Sequence, residues 1–155
     1  DMMGDYAVDS SKLNDERVYR VQVNDVRVRL QMLQNNEMDV LLLPEPQATE
    51  ALLAKHKLLM DSRKLGWRMG AIVFRDFISK DTSRQRQYEV FVKSYNMACD
   101  SINKYGVQKY RDLVTKYCQV KASTVDSIKS YKFSHVASPS EKDIETAKKW
   151  LIKKQ

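Results

Sequence analysis

The chain has 155 residues, of which 43% are hydrophobic and 30% are charged, with only four glycines. This balance is typical of a folded globular chain and excludes a disordered one. The net charge of +7 suits an anionic partner, but the basic residues are scattered without a Lys/Arg block, which argues against nucleic-acid binding.

The sequence contains no uninterrupted apolar run of about 18 residues, so no membrane-spanning helix is predicted. Its first residues, DMMGDYAVDS, lack the pattern of a signal peptide. Cys99 and Cys118 lie on predicted helices without the close spacing of a metal or redox motif, so both are predicted to be free thiols. No metal site and no cofactor are predicted.

The first half of the chain alternates predicted strands with predicted helices. Four strands are predicted, at residues 18–23, 39–43, 58–60 and 69–74. Asn24 is expected to cap a helix that ends at Asn35 and Asn36. Pro46 is expected at the first position of a second helix, which residues 47–56 continue. Residues 39–43 are apolar on both faces, as in a parallel sheet covered by helices. We therefore predict an open α/β sheet for this half.

The second half is predicted to be almost entirely helical. Apolar side chains recur at helical spacing between Asp81 and Gly106, which predicts one long helix, and again over residues 110–117. The stretch SPSE at residues 138–141 fits a capping box with a proline at the first helical position, so a last helix is predicted from there to the end.

Three polar corners follow strands of the predicted sheet, at Asn24, Glu45 and Asp61. Ligands of open α/β sheets bind beyond the carboxyl ends of the strands, where loops and helix N-termini meet. Glu45 stands between Pro44 and Pro46, which restrict the backbone on both sides of it. We expect this carboxylate to contact a ligand, although it fits equally well as a cap on its own helix. Asp61 also fits an ordinary turn residue.

Residues 37–62, EMDVLLLPEPQATEALLAKHKLLMDS, resemble the solute-binding proteins of ABC importers for sulfonates, nitrate, taurine and thiamine-pyrimidine precursors. The shared features are an apolar strand, the Glu45-Pro46 corner, a helix, and a strand that ends in Asp61-Ser62. Downstream, GAIVF at residues 70–74 resembles the strand that returns through the hinge of such proteins, and residues 88–104 and 147–154 resemble two of their helices.

This resemblance implies a type 2 periplasmic-binding-protein fold, which is α/β with an open, mostly parallel sheet, flanking helices and a helical C-terminal half. Residues 1–66 would form a partial α/β lobe, and residues 67–155 the hinge-return strand and the helical part. Because such proteins are about twice as long, we expect the chain to be a C-terminal fragment with residues 1–13 as the tail of a helix. The truncated lobe would then leave apolar surface open for dimerisation.

The function implied by the resemblance is capture of a small anionic or heterocyclic solute in a cleft between lobes, without catalysis. The solute would be delivered to an ABC permease, and the protein would be periplasmic, with a lipoprotein anchor as one form. Six candidate ligand contacts are Asn24, Glu45, Gln47, Asp61, Trp67 and Arg68. Trp67 fits a core or hinge residue better than a stacking surface, and Arg68 fits a solvated side chain as well as a sulfonate contact.

The sequence leaves two alternatives open. The pyrimidine synthases of thiamine biosynthesis look like the same family, but they use a cysteine-rich segment and histidines that are not found here. His56 and His135 have no partner at triad or metal spacing in the sequence, so no catalytic residue is predicted. The effector half of LysR-type regulators shares the predicted fold class, and an upstream helix-turn-helix would identify it.

Overall fold

The computed structural model describes residues 2–12, 17–68 and 70–154. Its α-helices are α1 (Met2–Ser11), α2 (Val26–Gln34), α3 (Gln47–Leu53), α4 (Thr82–Tyr105), α5 (Arg111–Cys118), α6 (Ala122–Ser127) and α7 (Glu141–Lys154). Short 3-10 helices cover Asp76–Lys80, directly before α4, and Val107–Tyr110, directly before α5. The remaining described residues are non-helical connections, apart from Arg17, which has 3-10 helical geometry.

The prediction of an α/β fold with an open parallel sheet is wrong, because the described residues form no β-strand. The four predicted strands are non-helical and unpaired instead, with Met69 of the last one outside the described residues. A strand needs a neighbour for its backbone hydrogen bonds, and apolar residues alone do not supply one. At Leu42, for example, the backbone carbonyl accepts a hydrogen bond from Nη1 of Arg29 at 2.6 Å, where a sheet would have used a backbone N–H.

The prediction of the long helix is confirmed by α4 and its two caps. Asp81 Oδ1 accepts hydrogen bonds from the backbone N–H groups of Ser83 at 2.9 Å and Arg84 at 3.2 Å, which satisfies donors that the first turn leaves free. Gly106 ends the helix with φ of 78°, a conformation that glycine adopts without a Cβ clash.

Helix α7 starts at Glu141, two residues later than predicted. Ser140 Oγ accepts a hydrogen bond from the backbone N–H of Asp143 at 3.1 Å and donates one to the Asp143 carboxylate at 2.5 Å. The capping pair is therefore Ser140 with Asp143, and Pro139 precedes the helix instead of opening it.

Helices α2 and α3 also differ from their predicted boundaries. Asp25, and not Asn24, caps α2 by accepting hydrogen bonds from the backbone N–H groups of Arg27 at 2.8 Å and Val28 at 3.4 Å. Helix α3 ends at Leu53, three residues before the predicted end at residue 56. Its carboxyl end is followed by Lys55 in a left-handed conformation, with φ of 69°.

The most deeply buried apolar cluster lies between α5 and α6. Val125 has no exposed surface, and Val120 and Ile128 are 6% and 8% exposed. Around them pack Val107, Val114, Cys118 and Tyr131. Helix α3 is joined to this core by the buried side chain of Gln47, whose Nε2 donates to the Cys118 carbonyl at 3.2 Å.

The non-helical segment 131–136 lies along the carboxyl-terminal half of α4. The Asn103 side chain donates to the Phe133 carbonyl and accepts from the Phe133 N–H, both at 2.8 Å. The Asn96 side chain accepts from the Val136 N–H at 2.9 Å. Cys99 is buried between these anchors, and the prediction that it and Cys118 are free thiols is confirmed.

The two ends of the described chain meet through polar contacts between α1 and α7. Trp150 donates to Asp5 Oδ2 at 2.8 Å, and Lys154 forms an ion pair with the same carboxylate at 3.0 Å. Lys153 pairs with Asp9 at 2.8 Å. Among the described helices, none combines the length and apolar character that a bilayer crossing requires.

The α5–α6 core makes a first quantitative prediction. Val125→Ala is expected to lower the free energy of unfolding by about 2–3 kcal/mol, because the side chain with no exposed surface loses two methyl groups and leaves a cavity. Val21→Ala, at a position that is 61% exposed, should change it by less than about 0.5 kcal/mol. Urea denaturation of both variants measures the difference, and equal losses would contradict this account of the core.

The cap of α2 predicts a dependence of stability on pH. Hydrogen bonds from the Arg27 side chain and backbone lower the pKa of Asp25 from 3.8 to about 2. Because the pKa of Asp25 is lower in the folded state than in the unfolded state, the ionised carboxylate stabilises the fold. This stabilisation is fully present above pH 3.8 and is lost as the pH falls towards about 2. Asp25→Asn should remove this part of the acid sensitivity, as measured by urea denaturation across that range. Asp39→Asn, at an exposed carboxylate outside any cap, is the control and should leave the acid sensitivity unchanged.

Candidate functional site

The Glu45 carboxylate lies at the start of α3 and uses both of its oxygens within the chain. Oε2 accepts hydrogen bonds from the Thr49 backbone N–H at 3.1 Å and from the Thr49 hydroxyl at 2.7 Å. Oε1 accepts a hydrogen bond from the Tyr131 hydroxyl at 2.9 Å. Glu45 lies one residue before Pro46, the N-cap of α3, and its carboxylate takes up a free N–H of the first turn, which is close to the capping role that its sequence position allowed. It also ties α3 to the segment after α6.

Tyr131 is the centre of a small polar cluster. The Arg63 guanidinium lies over its ring, with Cζ 4.4 Å from the ring centroid, which is within cation–π distance. Asp61 Oδ1 accepts the Arg63 backbone N–H at 2.9 Å and so fixes the turn that presents this arginine. We call Glu45, Asp61, Arg63 and Tyr131 the Glu45 cluster.

The electrostatics of this cluster act on the Tyr131 hydroxyl. Its pKa is raised above 10.0, first because partial burial disfavours the phenolate, and then because the neutral hydroxyl donates to Glu45 and lies near that negative charge. The positive charge of Arg63 opposes this shift, and the negative charge of Asp61 adds to it. Tyr131 is therefore a neutral hydrogen-bond donor at physiological pH.

The other predicted ligand contacts lie apart from one another. Gln47 is buried and its side-chain amide donates a hydrogen bond to the Cys118 carbonyl, so this amide has a structural role. Asn24 accepts a hydrogen bond from Gln22 at 3.1 Å at an exposed position. Trp67 packs edge-on against Tyr6, with ring centroids 4.9 Å apart, which agrees with its reading as a packing residue. Arg68 is exposed. The structure thus brings together two of the six residues, Glu45 and Asp61.

Three contributors to the site were missed in the sequence, and they differ in how visible they were. Thr49 lies four residues after Glu45 on the same helix, and Arg63 lies two residues after Asp61 in the same turn, so both could have been found from local spacing. Tyr131 lies 86 positions from Glu45, and no local pattern connects the two residues.

Two open grooves lie along α4. One, of about 360 Å³, is lined by Ser83, Arg86, Gln87 and Val90. The other, of about 290 Å³, is lined by nine residues between positions 73 and 91, among them Phe74, Phe77 and Phe91 and the basic residues Arg75 and Arg84. Neither groove includes a residue of the Glu45 cluster, in which Glu45 and Arg63 are exposed and Asp61 and Tyr131 are half-buried.

His135 has an acidic partner that the sequence did not reveal. Its Nε2 lies 2.7 Å from Asp100 Oδ1, and both side chains are more than half exposed. His135 belongs to the segment held along α4, so the pair reinforces the neighbouring asparagine anchors. Within the described ranges, no group of three or more His, Cys, Asp or Glu side chains is arranged to hold a metal ion.

Comparisons with protein-family models, with curated proteins and with solved structures found no match to this chain.

The link between Glu45 and Tyr131 can be tested by mutation. Tyr131→Phe removes the hydroxyl that joins α3 to the segment after α6, so the free energy of unfolding should fall by about 1 kcal/mol. Tyr117→Phe is the matched control, because this tyrosine is 75% exposed and should tolerate the loss. Guanidinium denaturation compares the two, and a Tyr131→Phe variant as stable as the control would show that the hydrogen bond contributes nothing.

Proposed function

We propose that this chain acts as a solute-binding component of an ABC importer, in which a small solute is bound without chemical change and passed to a membrane permease. The proposal rests on the resemblance of residues 37–62 to such receptors. The observation that carries it is the convergence of Glu45, Arg63 and Tyr131 from three separate segments. The Glu45-Pro46 corner, the most specific part of the resemblance, is thus where the polar cluster forms.

The cluster offers complementary chemistry to a small charged solute. Among the described residues, Arg63 makes no side-chain hydrogen bond or ion pair, and its exposed guanidinium lies over the Tyr131 ring. A guanidinium binds a sulfonate or similar anion with two parallel hydrogen bonds, and the aromatic ring below it fixes its plane. Glu45 and Asp61 place negative charge near the Tyr131 hydroxyl of the same cluster. We infer that a zwitterionic solute, with an anionic and a cationic group, fits this arrangement best.

The permease partner, the periplasmic location and the lipoprotein anchor belong to the same proposal, since they follow from the resemblance to importer receptors. In this proposal, solute binding at the cluster raises the fraction of the protein that is in the conformation recognised by the permease.

Isothermal titration calorimetry with taurine, nitrate and an aminopyrimidine tests the proposal directly. We expect taurine to bind, because it carries both a sulfonate and an ammonium group, and Arg63→Ala to weaken its binding at least about tenfold by removing the anion contact. Lys64→Ala, at the adjacent exposed position, is the matched control and should bind like the unaltered chain.

The three ligands separate the possible outcomes. Binding of nitrate or the aminopyrimidine in place of taurine, with the same loss in Arg63→Ala, would keep the receptor function and change the solute class. Absence of binding by all three, or equal affinities of Arg63→Ala and the unaltered chain, would refute the role of the cluster.

A further inference from the structure

The two grooves along α4 adjoin one another, because Gln87 lines both of them. In the groove of about 290 Å³, which we call the aromatic groove, the ring of Phe74 packs edge-on against the rings of Tyr88 and Phe91, with centroids 5.0 Å and 5.5 Å apart. Pockets that enclose whole small molecules have about 300–1,000 Å³. The aromatic groove is open and slightly smaller, so it suits one or two side chains of a larger partner.

The charged side chains that line the two grooves are all positive. Arg75 and Arg84 line the aromatic groove, and Arg86 lines its neighbour. None of the three acidic residues between positions 73 and 91 lines either groove. On a chain with a net charge of +7, this surface favours a partner that carries negative charge.

The arginines of the grooves are accessible to such a partner. All three are exposed. In the part of the chain that the structure describes, the side chains of Arg75 and Arg86 form no hydrogen bond or ion pair, and Arg84 contacts the ring of Phe77, with Cζ 5.9 Å from the ring centroid. A guanidinium binds a carboxylate with two parallel hydrogen bonds. Arginine beside aromatic rings, without lysine, is also the composition that marks the energetic centre of protein–protein interfaces.

A segment with the composition of a strand borders the aromatic groove and has no pairing partner. Residues 71–74, AIVF, favour an extended conformation, and Val73 is 88% exposed at the edge of the groove. Within the described ranges, no hydrogen bond involves the backbone of residues 70–74. A second peptide chain supplies donors and acceptors at the spacing of a strand, which a lipid headgroup or a nucleic acid does not. These unpaired groups therefore favour a peptide as the partner.

We propose that the aromatic groove binds a short acidic peptide segment of another protein in an extended conformation. An apolar side chain of this segment lies between the phenylalanine rings, its carboxylates pair with Arg75 and Arg84, and its backbone pairs with residues 71–74. The apolar contact supplies buried area, and the charges select and orient the segment. The inference does not depend on the proposed solute-binding function, because the groove shares no residue with the Glu45 cluster.

Fluorescence polarisation with three labelled peptides tests the proposal. The first peptide has two central leucines flanked on both sides by acidic residues, the second has lysine in place of each acidic residue, and the third has serine in place of both leucines. We expect the first to bind with a Kd on the order of 100 µM or below, and at least about tenfold more tightly than the other two. Added salt should weaken its binding.

Variants of the chain show whether the arginines of the groove make the contact. Arg84→Ala should weaken binding of the first peptide at least about tenfold by removing a carboxylate contact. Arg17→Ala removes the same charge at an exposed position that lines neither groove, so it is the matched control and should bind like the unaltered chain. The double variant Arg75→Glu with Arg84→Glu should reverse the preference and bind the lysine peptide, which a purely structural role of these arginines does not predict.

Nuclear magnetic resonance of isotope-labelled protein locates the bound peptide. The amide resonances of residues 71–74 should shift as the first peptide is added, and those of Glu45 and Arg63 should not. Absence of binding by the first peptide, unchanged resonances at residues 71–74, or equal affinities of Arg84→Ala and Arg17→Ala would overturn the proposal. So would tighter binding of phosphatidylserine vesicles or of oligothymidylate than of the first peptide, which would indicate a surface for lipid or for nucleic acid.

Discussion

The apolar core between α5 and α6 holds the middle of the chain, and neighbouring segments join it both by packing and by a few polar contacts. Val125 is fully buried and Thr124 is 1% exposed. Gln47 joins α3 to this core with one amide hydrogen bond, and Tyr131, which packs against the core, joins it to Glu45. A core of this size buries little apolar area, so the orientation of α3 depends on the satisfaction of a few polar groups.

The Glu45 cluster and the grooves along α4 use separate parts of the molecule. The Glu45 cluster is polar, carries both signs of charge and is formed by the start of α3, a turn and the segment after α6. The groove of about 290 Å³ is lined by aromatic side chains together with Arg75 and Arg84. The two regions share no residue.

What could be predicted from the sequence was set by local interactions. Asp81 and Gly106 bracket α4 as expected, because caps and helical periodicity act within a few residues. Whether the predicted strands pair could not be judged from local sequence, because strand pairing depends on distant backbone groups. At Leu42, the backbone carbonyl accepts a hydrogen bond from the guanidinium of Arg29 instead. In the candidate site, the capping role of Glu45 followed from its place before α3. Its bond to Tyr131 did not, because no spacing rule spans 86 residues.

Two asparagines on α4 fix the spacing of the segment that they bind. Asn96 and Asn103 are seven residues apart, which is about 10.5 Å along a helix. Their side chains accept hydrogen bonds from the backbones of Val136 and Phe133, which are three residues apart, or about 10 Å in an extended chain. Two helical turns therefore match three extended residues running in the opposite direction. One residue inserted between positions 133 and 136 would make this spacing longer than the distance between the two asparagines. Insertions on either side of that stretch are therefore tolerated more easily than insertions within it.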